Sequence, residues 1–253
     1  MHANLLQLSK KIRVGAVSYL NTKPLLYGLQ HHAVSESIEL IEDFPANLAR
    51  ALQDNTIDIG LVPVAVIPKL PEAHLISDYC IGATGPVASV CIFSKVPMEE
   101  IQTLYLDYQS KTSVNLAKVL LKNYWKKEVQ FLEAPKNFMD LIDGNTAAVI
   151  IGDRALDKFD SYPFRYDLAE AWIGFTAKPF VFATWVSNKQ LDADFIASFN
   201  EANALGLTNI NTVIEQLSAD YNSYDLHTYF TKNISYTLNA AKKEGMAQFL
   251  SLL

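Results

Sequence analysis

The sequence predicts an α/β protein whose two halves fit a two-lobed architecture. Short apolar, β-branched runs alternate with stretches of helical spacing from residue 14 to about residue 186. Two later β runs, 87–94 and 180–186, lie where the chain would leave one half and return to it. Beyond Leu191 only helical spacing remains, which predicts a helical C-terminal group. No repeat, low-complexity segment or polar linker divides the chain into independent domains.

The elements follow in order. Residues 14–17 read as a buried strand, and the chain leaves it through Ser18, Tyr19, Leu20 and Asn21. A helix is expected from about Thr22, a suitable N-cap, with Pro24 in its first turn and Leu25, Leu26 and Leu29 on its apolar face. Residues 38–41 predict a strand and 44–52 a helix, with Leu48 and Leu52 one turn apart. Residues 57–62 predict the next strand, ended by Pro63, with Asp58 facing away from its neighbours. Residues 63–68 form a turn or short helix bracketed by prolines. Two β runs, 75–81 and 87–94, flank a Gly-Pro turn. Tyr105 and Leu106 lie in a strand, and Ser110 to Ser113 open a helix reaching about Trp125. Residues 129–132 predict a strand, 138–142 a short helix and 147–151 an apolar strand that Gly152 and Asp153 turn into a helix. The pairs Phe195/Phe199, Val213/Leu217 and Ile234/Leu238 set the spacing of the last helices.

With 253 residues, half of them hydrophobic and 19% charged, the chain has ample material for a core. Lys and Arg number 21 against 27 Asp and Glu, a net charge of −6, which argues against nucleic acid as a partner. An anionic small molecule remains open, since a pocket on an acidic protein can be locally positive or rich in N–H donors. The opening MHANLLQLSKKIRVG lacks a leader's apolar core and cleavage site, and no apolar run reaches membrane-spanning length. A cytoplasmic protein with no membrane partner is expected, in which Cys80 and Cys91 stay reduced. His31 and His32 are adjacent and point apart, and His2, His74 and His227 are scattered, so no metal is expected.

Four stretches are more specific than this pattern: VGAVSYLNTKPLLYGL (14–29), DIGLVP (58–63), IGATGPVASV (81–90) and KPFVFATW (178–185). In order and spacing they resemble the chorismate dehydratases of the futalosine route to menaquinone, from about Ile12 to the C-terminal helices. The resemblance implies a type II periplasmic-binding-protein-like fold. Its first lobe would be discontinuous, residues 1–92 and 186–253, around an inserted lobe of residues 93–185, with the ligand in the cleft. It implies a lyase that removes water from chorismate to give 3-[(1-carboxyvinyl)oxy]benzoate without a cofactor.

Polar groups where a strand ends and a helix begins are where open α/β sheets bind anions, although such a turn is also ordinary. Asn21 offers two donors and an acceptor without a charge to desolvate; read alone it is a turn residue. Ser89, read from alternation, is a buried or cleft-facing hydroxyl in a strand, with no nucleophile-elbow motif around it. The resemblance makes both active-site residues. Gly85, with Gly82 and Pro86, would bring backbone close to a ligand. Ser110, Thr112 and Ser113 crowd a helix start, where one caps and the others suit a carboxylate. Ser18, Tyr19, Gly152 and Asp153 complete the expected substrate contacts, while Asp58 is left outside the set. Trp172, Trp185 and Phe180 read as core.

Neither Asn21 nor Ser89 is a base at neutral pH, and the matched motifs place no His or Lys beside them. The second carboxylate of chorismate, on its enolpyruvyl arm, is then the expected proton acceptor. Two rivals share the fold. A small-anion solute-binding protein would be expected to carry an export leader, and a 1,4-dihydroxy-6-naphthoate synthase matches SYLNTKPL and GPVASV less well. A ligand-sensing regulatory domain would come with a DNA-binding segment, for which the chain leaves no room.

Overall fold

A computed structural model describes residues 11–221 and 224–253. His2 and most of the opening read for a leader lie outside the described residues. Strand β1 (Ile12–Ala16) passes through a 3-10 turn, Leu20–Thr22, into helix α1 (Lys23–His31). Next come β2 (Ile38–Glu42), α2 (Pro45–Gln53), β3 (Ile59–Pro63), a 3-10 segment Val64–Lys69 and β4 (His74–Ala83). A second set holds β5 (Val90–Ser94), β6 (Thr103–Leu106), α3 (Lys111–Asn123) and β7 (Gln130–Glu133). It continues with β8 (Thr146–Ile151), α4 (Asp153–Asp157), β9 (Phe164–Asp167) and α5 (Leu168–Thr176). The chain returns through β10 (Phe180–Ser187) to α6 (Ala193–Thr208) and α7 (Ile210–Leu217). It ends with α8 (Leu226–Thr228), a π turn Tyr229–Asn233, β11 (Ser235–Thr237) and α9 (Ala240–Ser251).

Two mixed sheets result. The first runs β11-β4-β10-β3-β1-β2 and the second β7-β6-β8-β5-β9. In the first, β2, β1 and β3 are parallel and β10 is antiparallel to both β3 and β4. In the second, β7, β6 and β8 are parallel, and β5 runs antiparallel to β8 and β9. Strands β3, β5 and β10 lie inside their sheets, which is why they read as unbroken apolar runs. One apolar cluster joins the sheets, from Val14 and Leu25 through Ile92 and Leu120 to Trp172 and Phe249. Phe180 packs edge-on against Trp172 at 5.4 Å and Phe249 at 5.0 Å, docking α5 and α9 on β10. Helices α1 and α6 cross at Gly28 and Gly206, where a Cβ would lie 1.9 Å from the Ala202 carbonyl oxygen or 1.8 Å from that of Pro24. Trp172, Trp185 and Phe180 are fully buried core residues, and Cys80 and Cys91 are buried free thiols.

Several expectations change. Thr22 is not a side-chain cap, because the 3-10 turn occupies that place and its hydroxyl donates to Asn21 Oδ1. The β run from residue 87 begins only at Val90, because Ala88 has φ +61° and breaks the strand. Ile234 and Leu238 flank strand β11 instead of sharing a helix face. That strand is held by Lys242 of α9, whose ammonium, fully buried, donates to the carbonyls of Ser235 and Thr237 and to the Ser235 hydroxyl. No helix among the described residues is long and apolar enough to cross a membrane.

Asp58 is a clamp and not a site residue. Its carboxylate accepts from the Arg13 N–H at 2.9 Å, Arg13 Nε at 3.0 Å and Lys189 Nζ at 2.8 Å, tying the starts of β1 and β3 to the end of β10. Burial alone would raise this carboxyl, but Arg13 and Lys189 outweigh it and hold it well below the usual carboxylate range. Asp58→Asn is expected to cost about 2 kcal/mol at neutral pH, the scale of hydrogen bonds to a charged acceptor. The folded chain binds this proton less tightly than the unfolded one. The contribution is therefore full above the ordinary value of 3.8 and drains away as pH falls below it. Denaturant titrations of parent and variant should converge in acid; a constant difference would contradict the clamp.

Candidate functional site

The carboxyl ends of β1, β3, β6 and β8 converge on one pocket between the sheets, where open α/β sheets place ligands. It holds about 570 Å³ of empty space, its open mouth included. Tyr19 and Asn21 reach it from the loop after β1, Ser89 from the loop before β5 and Ser110 and Ser113 from the start of α3. Leu61, Ile81, Val87, Val90, Ile151 and Phe182 supply apolar walls. Among the described residues no carboxylate, imidazole or amine lines it.

Ser89 is fully buried at the pocket wall, and its Oγ accepts the Tyr229 phenol at 2.8 Å. Burial pushes that phenol far up, so it stays a donor throughout the working range. The hydroxyl proton of Ser89 therefore has no protein acceptor among the described residues and is available to a ligand. The backbone around it is held in a sparsely populated shape. The Ser89 N–H donates to the Val87 carbonyl at 2.7 Å across Ala88, a γ-turn of the rarer left-handed kind. Asp167 keeps it there by accepting the Ala88 N–H at 2.7 Å while capping α5 through Ala169 and Glu170. The Ser89 carbonyl accepts from the Gly152 N–H at 2.8 Å.

Asn21 accepts from the Thr22 hydroxyl at 3.1 Å through Oδ1, and its carbonyl takes the Tyr236 phenol at 3.0 Å. Its amide NH2 has no protein partner among the described residues, leaving two donors at the pocket. Ser110 caps α3 by accepting the Ser113 N–H, and its hydroxyl donates to Ser113 Oγ at 2.9 Å. The Ser113 proton is then the free one. Tyr19 packs against Gly152, whose φ of +65° suits glycine, and donates to Gln109 Oε1 at 3.0 Å. Burial, with Asp107 nearby, pushes the Tyr19 phenol up to about 12.

Asn21, Ser89, Tyr19, Ser110, Ser113 and Gly152 thus meet at one pocket. Four other expected contacts do not line it. Ser18 is exposed, two residues beyond the end of β1. Gly85 has an ordinary φ and open space around it, at the rim of its loop. Thr112 is turned away, its Oγ1 accepting the Ala65 N–H at 3.2 Å. Asp153 lies just behind the pocket, accepting the Leu20 N–H at 3.1 Å and the Tyr221 phenol at 3.2 Å. Burial raises its carboxyl above the usual range against the pull of those two donors. Residues not anticipated are Tyr229, Tyr236, Asp167 and the Asp107–Arg154–Gln109 group. In that group Arg154 donates to Asp107 at 2.6 Å and to Gln109 at 2.7 Å. Asp167 alone had a local signal, an Asp three residues before Glu170 at a helix start.

A family described as menaquinone biosynthesis matches residues 12–253. A chorismate dehydratase of Thermus thermophilus is 25% identical over 262 residues, covering 95% of this chain and 94% of that protein. An Archaeoglobus fulgidus protein of known structure superposes with a TM-score of 0.75 at 13% identity, covering 96% and 97% of the two chains. The periplasmic aliphatic sulphonate binding protein of Escherichia coli gives a TM-score of 0.61 at 13% identity, covering 96% and 92%. The fold is that of periplasmic binding proteins.

The Leu20 amide tests the tie made by Asp153. Asp153→Ala is expected to speed hydrogen exchange at Leu20 by at least about tenfold, since a bond to a charged acceptor is worth about 1.5–3 kcal/mol. Asp153→Asn keeps an acceptor oxygen and should exchange more slowly than the Ala variant. Equal rates in parent and both variants would contradict the tie.

Proposed function

The chain belongs to the menaquinone-biosynthesis family, and from that premise we propose that it is a chorismate dehydratase. It eliminates water from chorismate to give 3-[(1-carboxyvinyl)oxy]benzoate. The observation that carries the reading is the placing of free donors from Asn21 and Ser89 at one apolar pocket that no carboxylate, imidazole or amine among the described residues lines. The similarity to a Thermus chorismate dehydratase supports the same substrate.

In the reaction, the ring carbon bearing the enolpyruvyl ether loses its proton and the neighbouring carbon loses hydroxide. The C–H electron pair becomes the new ring double bond, and proton and hydroxide leave as water. The ring becomes aromatic, so the enzyme has mainly to orient the dianion and keep water out. The anion formed on deprotonation is conjugated through the ring alkene to the ring carboxylate, and donors at that carboxylate lower the barrier. Ser110 and Ser113, at the positive end of the 13-residue helix α3, take this part. Asn21 and Ser89 hold the arm and the leaving hydroxyl. The arm carboxylate of chorismate accepts the proton, since no carboxylate, imidazole or amine among the described residues lines the pocket.

The lobes follow the two sheets. Strand β5 belongs whole to the second sheet and β10 whole to the first. We therefore place the crossings at about residues 84–89 and 177–179, a few residues before those expected from the resemblance. Ser89 lies at the end of one crossing, so closure of the cleft brings it to the substrate.

Purified protein mixed with chorismate should develop the ultraviolet absorbance of an aromatic product without added metal or cofactor. Binding without turnover would leave a solute-binding protein, and no change of any kind would remove the substrate. Asn21→Ala and Ser89→Ala should each lower kcat by about a hundred- to a thousandfold. Tyr229→Phe should lower it less, by freeing Ser89 to rotate. With the Tyr19 phenol at about 12 and no carboxylate, imidazole or amine among the described residues lining the pocket, kcat should be flat from about pH 6 to 9. A kcat that fell with an apparent pKa inside that window would show a protein base.

A further inference from the structure

Beside the pocket lies a wider groove, with about 970 Å³ of empty space. Pro45 and Pro63 line both, so the groove abuts the pocket. Its charged residues all have one sign: Arg50 on α2, Lys69 at the end of the 3-10 segment and Lys111 at the start of α3. All three are exposed, and none makes a side-chain hydrogen bond or ion pair with the described residues. Gln53, Gln109, Asn115 and Tyr108 add neutral polar groups, and no carboxylate among the described residues lines the groove.

The remaining charges make this arrangement consequential. The chain carries a net charge of −6, which repels a dianion at a distance. Among the described residues no cationic side chain lines the pocket to offset that repulsion. Three unpaired cations along one groove make it locally positive, and a cleft lined by one sign of charge raises encounter rates by about 10- to 1,000-fold. Because they stand outside the pocket, they attract the substrate without being desolvated beside it.

We propose that the Arg50, Lys69 and Lys111 groove is the capture site for the dianionic substrate, delivering it to the uncharged pocket. The proposal rests on the chorismate dehydratase reading and adds where the substrate first binds.

The test compares kcat/KM for chorismate between about 0.01 and 0.5 M salt, a range over which screening passes from weak to nearly complete. The proteins are the parent, Arg50→Glu/Lys69→Glu, and a control of equal charge change on exposed lysines outside the groove, Lys118→Glu/Lys122→Glu. The parent's kcat/KM should fall steeply with salt. The groove variant should lie at least about tenfold below the parent at low salt, lose that salt dependence and keep the parent's kcat at saturation. The control should track the parent. A groove variant indistinguishable from the control, or a parent whose kcat/KM ignores salt, would overturn the capture site while leaving the enzyme assignment intact. A groove variant with kcat lowered in proportion would overturn it by putting these residues in the chemical step. A parent that forms no aromatic product would overturn the enzyme assignment, and the capture site with it.

Discussion

The hydrogen bond from Tyr229 to Ser89 organises the site. It joins residues 140 positions apart, the loop at the entry to the second sheet and the π turn near the C-terminus. A serine hydroxyl left to itself rotates among partners; one whose oxygen is occupied by a buried phenol aims its proton elsewhere. The strained turn at Ala88, held by Asp167, and the bond from Gly152 fix the backbone that carries this side chain. Strain of this kind persists only where surrounding structure over-determines it, and here three separate chain segments do so.

The protein separates charge from the place where chemistry is proposed. The Arg13–Asp58–Lys189 clamp lies where β1 begins and β10 ends, and Arg154 is paired with Asp107 behind Tyr19 and Gln109. The pocket keeps hydroxyls, an amide and a helix N-terminus. Neutral donors in an apolar cavity stabilise developing negative charge without the desolvation cost of a buried ammonium or guanidinium. The arrangement suits a substrate that brings its own charges. The cationic groove beside the pocket then does at long range what the pocket does not do at short range.

Much of this was legible in the chain. The parallel strands β1 and β3 announced themselves as buried apolar runs, and the loop between β1 and α1 carried its polar residues in a recognisable order. The hydroxyls of Ser110, Thr112 and Ser113 signalled a helix cap without saying which of them makes it, and Ser110 does. What could not be read depends on contacts far along the sequence. Ser89 alternates as a strand residue would, and only the left-handed Ala88 takes it out of the sheet. Ser235 to Thr237 is three residues long and survives as a strand because a buried lysine from the next helix ties it to its neighbours. Asp153 sits at the right strand end for a ligand contact, but two nearby donors occupy its oxygens. Tyr229 gives no local sign of its role, since its partner lies in the other half of the chain.

The central claim is that the pocket supplies orientation and that the substrate supplies the base. The most direct measurement compares chorismate with an analogue whose enolpyruvyl carboxylate is converted to an amide, with binding of the analogue established independently by calorimetry. The account expects the bound amide to remain undehydrated while chorismate turns over on the same enzyme. An amide that binds and is dehydrated as fast as chorismate would show that a group of the protein takes the proton.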